Sequence, residues 1–275
     1  MIFSCLTWNT AKRIKHINKQ VEIITNSKSD IIALQEITIN SEKLFKKYLS
    51  KKYKNVVSSF DLVADKKVLF GKRMFGQIIA TNYPIKSENP DKFMVPWTER
   101  ILSVKISINN KVIIFHTTHI PPGSSNGWIK IETLNGIYER LVKTKESLNI
   151  LCGDFNTPKQ ELEDKGLVTF AQNINAKGEI KMKGNFRGGK GIDWDKGERN
   201  IILGLSNIGI EDSFRKLYAY NTQEFSWSFK RKDKILKRRF DHFFASDKIR
   251  VVSAKYLHNQ GNTSDHSPLK VEYYY

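Results

Sequence analysis

The sequence predicts an α/β fold whose layers share one core. Strand-like apolar runs are interleaved with segments of helical periodicity, and no linker divides the 275 residues. An apolar run at 2–8 opens as a strand, and helical periodicity follows at 13–26. A second strand is expected at 30–35 and a second helix at 40–51. Apolar runs bounded by turn residues predict strands at 74–81, 100–108 and 111–118. The long periodic segment 127–145 reads as a helix leading into a strand at 147–152. Shorter helices are expected near 158–164 and 211–218, with a fuller one at 198–207. The remaining strands fall at 225–229, 240–245, 249–257 and 268–274. Between 172 and 199 lie six glycines and an excess of lysine, a composition that predicts a mobile loop. With no internal repeat, a single domain over 1–275 is expected.

Composition narrows the partners. Forty-six Lys+Arg against 28 Asp+Glu give a formal charge of +18, which favours polyanions such as nucleic acid or anionic headgroups. A general lysine bias is the bland alternative. Cys5 and Cys152 lie in apolar runs and read as small buried hydrophobes, without disulfide or zinc spacing. No run approaches the ~18 apolar residues of a membrane span, so no stable membrane association is expected. The opening "MIFSCLTWN" lacks a secretory pattern, which makes the cytoplasm the expected compartment.

Chemistry gathers at strand boundaries, where open α/β sheets place their sites. "FSCLTWN" ends in Asn9 and "SDIIALQE" in Glu36, while "LNILCGDFNTP" ends in Asp154 and Asn156. "KVIIFHTTHIPPG" places His119 before a Pro-Pro-Gly break. "RRFDHFFAS" carries Asp241 into a strand, and "TSDHSPL" sets Asp265 and His266 before the last one. Taken singly, each has an ordinary reading: an Asx turn at 154–157, a solvated strand end at Glu36, a loop histidine at His119, a surface ion pair at Asp241. Six polar boundaries in one basic chain are harder to set aside. Carboxylates and carboxamides are hard oxygen ligands suited to Mg²⁺ or Mn²⁺, and a His beside an Asp handles protons. Together they point to metal-assisted phosphoester hydrolysis. Strand alternation turns His116 away from His119, and His242 away from Asp241.

The ordered blocks "LTWN", "LQE", "THIPPG", "GDFN", "RFDH" and "SDHSP" resemble the endonuclease/exonuclease/phosphatase superfamily nearly end to end. The resemblance implies a four-layer α/β sandwich, two packed mixed sheets with helices outside. It also implies Glu36 as the principal Mg²⁺ ligand, with Asn9 and Asp265 at or near a second metal or the scissile phosphate. Asp154 matches the residue that activates the attacking water, and Asn156 a phosphate contact. His266 matches the catalytic histidine and Asp241 the carboxylate that orients it. His119 stands where the exonuclease III branch usually has a tyrosine. There it is similar to the general acid of the pancreatic deoxyribonuclease, tyrosyl-DNA phosphodiesterase and neutral sphingomyelinase branches.

The expected activity is therefore a Mg²⁺-dependent phosphodiesterase, a nuclease acting on DNA or RNA. The run "KRKDKILKRR" at 230–239, with seven Lys/Arg in ten residues, favours a backbone-phosphate role beside Asp241. One rival is the same chemistry on a small or lipid phosphoester, of inositol-phosphate or sphingomyelin type. Another is a nucleic-acid-binding protein on an inactive scaffold, against which the complete residue set argues.

Overall fold

Two six-stranded mixed sheets pack face to face, each with helices on its outer side. The computed structural model describes every residue except Lys165, Asp233 and Asn259, together with the side chain of Arg231. The first sheet runs Arg250–Tyr256, Leu269–Tyr274, Ile2–Asn9, Ile31–Ile37, Gly76–Thr81, Asn55–Ser58. The second runs Ile210–Asp212, Asp241–Ser246, Leu148–Asp154, Lys111–His119, Ile101–Ile108, Ile85–Ser87. Each has one parallel pair, Ile2–Asn9 with Ile31–Ile37 and Lys111–His119 with Leu148–Asp154. This is the four-layer sandwich that the family resemblance implied.

The runs are continuously apolar because the central strands are buried on both faces. In Ile31–Ile37, Ile31 and Ala33 join the core between the sheets, while Ile32 and Leu34 pack outward against Ile24, Phe45 and Leu49 of the helices Ile17–Asn26 and Ile39–Leu49. On the other side, Leu151 and Phe244 pack against Leu134, Ile137 and Ile201 of the helices Ile129–Lys143 and Gly191–Ile202. Cys5 and Cys152 are free and buried in the middle layer. No helix among the described residues is long and apolar enough to cross a membrane.

Two expectations are corrected. The segment near 158–164 is not helical; Gln160–Glu161 pairs with Leu167–Val168 as a small hairpin. The stretch 172–199 is built rather than loose, with hairpins Gln172–Ile174/Ile180–Met182 and Asn185–Phe186/Gly189–Lys190 leading into the helix from Gly191. Gly188 serves a turn: Arg187 and Gly188 both have positive φ, 54° and 84°, as a two-residue hairpin turn requires. Buried Trp194 then holds the segment down, edge-on to Phe186 at 4.9 Å and Trp128 at 5.4 Å.

Candidate active site

The site forms where the apolar layer between the sheets gives way to polar residues. Strand alternation sends Cys5, Thr7 and Asn9 to the inner face, and likewise Ile113, Phe115, Thr117 and His119. Ile150, Cys152 and Asp154 share that face with Asp241, Phe243 and Ala245. Directly beneath the site, Gln35 Nε2 donates to Thr7 Oγ1 and Thr117 Oγ1 and ties the sheets together. Glu36 alone breaks the parity. A register shift between Leu34 and Ile37 and a positive φ of 56° at Glu36 swing its carboxylate into the cleft.

Glu36, Asp154 and His119 bring two carboxylate oxygens and a ring nitrogen within 4.8 Å of one another. Asn9 bridges the carboxylates, its Nδ2 donating to Asp154 Oδ2 at 2.9 Å and Glu36 Oε1 at 3.2 Å. Its Oδ1 accepts from the Ala11 amide. The Asx turn does exist, because the Asn156 amide donates to Asp154 Oδ1 at 2.8 Å. That turn fixes the carboxylate's orientation. Burial pushes the Asp154 carboxyl up to about 7, with Asp241 adding to the effect and His266 opposing it.

His266 is clamped from three sides. Trp8 Nε1 donates to its carbonyl, its amide donates to Ser264 Oγ, and its Nδ1 lies 2.7 Å from Asp241 Oδ2. Burial alone would lower this imidazole, but Asp241 and Asp154 outweigh it and raise it to about 10, so it is charged at neutral pH. Its Nε2 faces Asp154 Oδ2 at 3.8 Å. Asp241 is fully buried, and its Oδ1 has no hydrogen-bond partner among the described residues.

His119 is held differently. Arg100 donates through Nη1 to its Nδ1 at 2.6 Å, so the neutral ring carries its proton on Nε2. Burial, then Arg100 and His266, keep it well below the usual imidazole range. Its Nε2 points at Glu36 Oε1, 3.6 Å away, and Asp154 Oδ2, 3.7 Å away. The ring thus offers a hydrogen-bond donor.

Asp265 lies on the exposed rim, its Oδ2 accepting from Trp227 Nε1 at 3.1 Å. It lines the cleft but stands outside the Glu36–His119–Asp154 group. Asn156 Nδ2 donates to the Ile120 carbonyl at 2.9 Å. His116 points to the helix side, Nε2 3.3 Å from Asn149 Oδ1 and edge-on to Phe93. His242 is buried on the same outer side, between Asp212 Oδ2 and the Thr157 carbonyl.

Sequence reasoning missed several lining residues. Lys130 is buried in the cleft wall, donating to the Asn156 carbonyl at 2.8 Å and to Glu198 Oε1 at 2.5 Å. Its one signal was a lysine inside the apolar face of a helix. Phe170, Arg187, Trp194, Trp227, Arg238 and Phe240 complete a cavity of about 320 Å³. The basic run also divides: Arg238 enters the cleft, whereas Arg239 is buried against Glu161 and Asp212.

Several solved structures share this fold. Humanized D. rerio TDP2 matches with a TM-score of 0.67 at 13% identity, over 100% of this chain and 99% of that one. An AP endonuclease from Archaeoglobus fulgidus matches at 0.66 and 19%, over 98% of each chain. A variant of the 3′ phosphatase NExo from Neisseria, bound to a product DNA hairpin, matches at 0.65 and 16%, over 99% of this chain and 100% of that one. No curated protein matches the sequence. The Endonuclease/Exonuclease/phosphatase family profile spans residues 6–266. The chain therefore belongs to the endonuclease/exonuclease/phosphatase family.

Proposed function

We propose that this single-domain protein, spanning 1–275, is a divalent-metal-dependent phosphodiesterase that cleaves nucleic acid. The observation that carries the reading is the junction of the Glu36–Asp154 pair and the Asp241-bound His266 with a cleft walled by Lys130, Arg187 and Arg238. Family membership supports phosphoester hydrolysis, and the DNA-bound structure of similar fold supports the substrate class.

The donor set fits Mg²⁺ or Mn²⁺. Two carboxylates converge within 4.8 Å of one another, bridged by the Asn9 carboxamide, a hard-oxygen set. Glu36 would hold the ion with Asp154 beside it, while Asn9 keeps the carboxylates in register and Asp265 approaches from the rim. A bound dication would neutralise phosphate charge and polarise the phosphorus centre.

The chain's own groups supply the rest. Asp154 orients the attacking water and takes its proton. The His266 imidazolium, oriented by Asp241, places positive charge on a phosphate oxygen, where charge builds in the transition state. His119, with Nδ1 engaged by Arg100, offers its Nε2–H as a hydrogen bond to the leaving oxygen, and the departing alkoxide takes its proton from solvent. Asn156 lines the same cleft and would contact a second phosphate oxygen.

Substrate class is tested by salt. A backbone contact releases counterions, so binding to duplex DNA should weaken with a log–log slope of ~0.9 per phosphate neutralised. Lys232 and Lys234 are exposed on the hairpin that bears Arg238. Lys232→Glu combined with Lys234→Glu should flatten the slope by about 2 and raise KM for polymeric DNA. A wild type whose binding ignores salt would transfer the chemistry to a small phosphoester.

A further inference from the structure

The Trp227–Arg231 and Lys234–Arg238 strands form a hairpin outside both sheets, with Trp227 opposite Arg238 and Phe229 opposite Leu236. Alternation puts Trp227, Phe229, Leu236 and Arg238 on one face. Trp227 and Arg238 belong to the cleft wall near His266, so this face is the wall's outward continuation. The Trp227 and Phe229 rings are parallel within 4°, their centroids 5.9 Å apart, and Phe229 is 50% exposed. Phe229 stacks parallel to Trp227, which is itself flanked by Phe240 and Arg238, so the aromatic shelf leading out of the cavity ends on the exposed ring of Phe229.

Arg238 sits among three rings, 5.1 Å from Phe170, 5.7 Å from Phe240 and 5.8 Å from Trp227. Its guanidinium makes no hydrogen bond or ion pair among the described residues. A planar cation stacked on aromatics with its donor edge uncommitted is suited to a phosphate. The cavity of about 320 Å³ is on the scale of one nucleotide, not of a base pair. Lys232 at the hairpin turn and Lys234 at the start of its second strand are exposed beyond Phe229, without an acidic partner among the described residues. Such a surface repels its own copy and attracts a polyanion.

A duplex hides the faces of its bases in the stack, so it has nothing to lay on this shelf. Single strands expose them, and base–aromatic stacking tolerates any sequence. We propose that the strand next to the scissile phosphate is bound unpaired, with a base continuing the Trp227–Phe229 stack on the exposed ring of Phe229 and a neighbouring phosphate on Arg238. The enzyme would then prefer single-stranded or frayed nucleic acid to intact duplex. This proposal rests on the nuclease reading above.

Fluorescence anisotropy of a labelled oligonucleotide, single-stranded or annealed into a blunt duplex, tests it with Ca²⁺ in place of Mg²⁺. Wild type should bind the single strand at least ~10-fold more tightly. Phe229→Ala should weaken single-strand binding about 10-fold, with the salt slope unchanged, and Phe229→Tyr should restore it. Duplex affinity equal to or above single-strand affinity, or no response to Phe229→Ala, overturns the shelf while leaving a nuclease in place. Binding to neither form overturns the nuclease reading together with the shelf.

Discussion

Asparagine in place of Asp154 is expected to reduce kcat by at least ~10²-fold, the scale of a positioned acid–base group. The geometry makes the loss more than a change of charge. Asp154 accepts from the Asn156 amide on Oδ1 and from Asn9 Nδ2 on Oδ2. An asparagine can accept on only one side, and its own amide would meet a donor on the other. In the proposed mechanism the water-orienting carboxylate and its register against Glu36 would therefore be lost together. His266→Ala should cost a similar factor, because it strips the cleft of the imidazolium and leaves Asp241 buried without a counter-charge. The two losses should add to far less than their product, since residues acting as one unit are non-additive. His116→Ala is the control. It removes a ring on the opposite strand face and should leave kcat within a few-fold of wild type. Steady-state kinetics on bis-p-nitrophenyl phosphate reads all five proteins, the double variant included, and a kcat for Asp154→Asn within 10-fold of wild type would contradict the assignment.

Arg239→Met should destabilise the fold by about 3–5 kcal/mol, the scale for stripping one partner from a buried ion network. Arg239 donates to Glu161 Oε1 and Oε2 and to Asp212 Oδ2, and all three side chains are buried. Arg215 pairs with the same Glu161 at 2.7 Å. Methionine keeps much of the volume but leaves carboxylates facing protein with less compensation. The pH dependence has a definite sign. Burial opposes ionisation of Glu161, yet Arg239 and then Arg215 outweigh it and bring the carboxyl down to about 2; Asp212 is held lower still, chiefly by Arg239 against its burial. Folded values below the unfolded ones mean a stabilisation that is complete above about pH 5 and fades as pH falls toward 2. Urea melts at pH 7 and pH 3 should therefore show the variant's deficit shrinking in acid. An equal deficit at both pH values would contradict a network held by ionised carboxylates.

Much of the site was legible because the fold repeats one rule. Polar residues at the boundaries of apolar runs on the inner parity, Asn9, His119 and Asp154 at strand ends and Asp241 at a strand start, meet at one edge of the sandwich. The same rule turned His116 and His242 away, and both face the helix side. Glu36 reached the cleft by a different route: its parity points outward, and only the register shift corrects it, which no local pattern announces. Arg100 and Lys130 were invisible as site residues because long charged side chains are ordinarily solvated, and their burial depends on His119 and Glu198, distant in sequence. Composition misled at 172–199, where glycine and lysine suggested a loose loop. Its order comes from Trp194 packing against Trp128 and Phe186, a contact composition does not encode. The basic run likewise gave charge without direction: adjacent Arg238 and Arg239 point to the cleft and to the buried network respectively.

The central claim is that a dication held at Glu36 drives phosphodiester cleavage of nucleic acid. A labelled single-stranded oligonucleotide should be cut in Mg²⁺, spared in excess EDTA, and cut again when Mg²⁺ or Mn²⁺ is restored. Glu36→Gln, which keeps size and hydrogen bonding but removes the charge, should require far more Mg²⁺ for half-maximal rate while melting near the wild-type temperature. Undiminished cleavage in EDTA, or a Glu36→Gln variant with the wild-type metal requirement, would contradict the account.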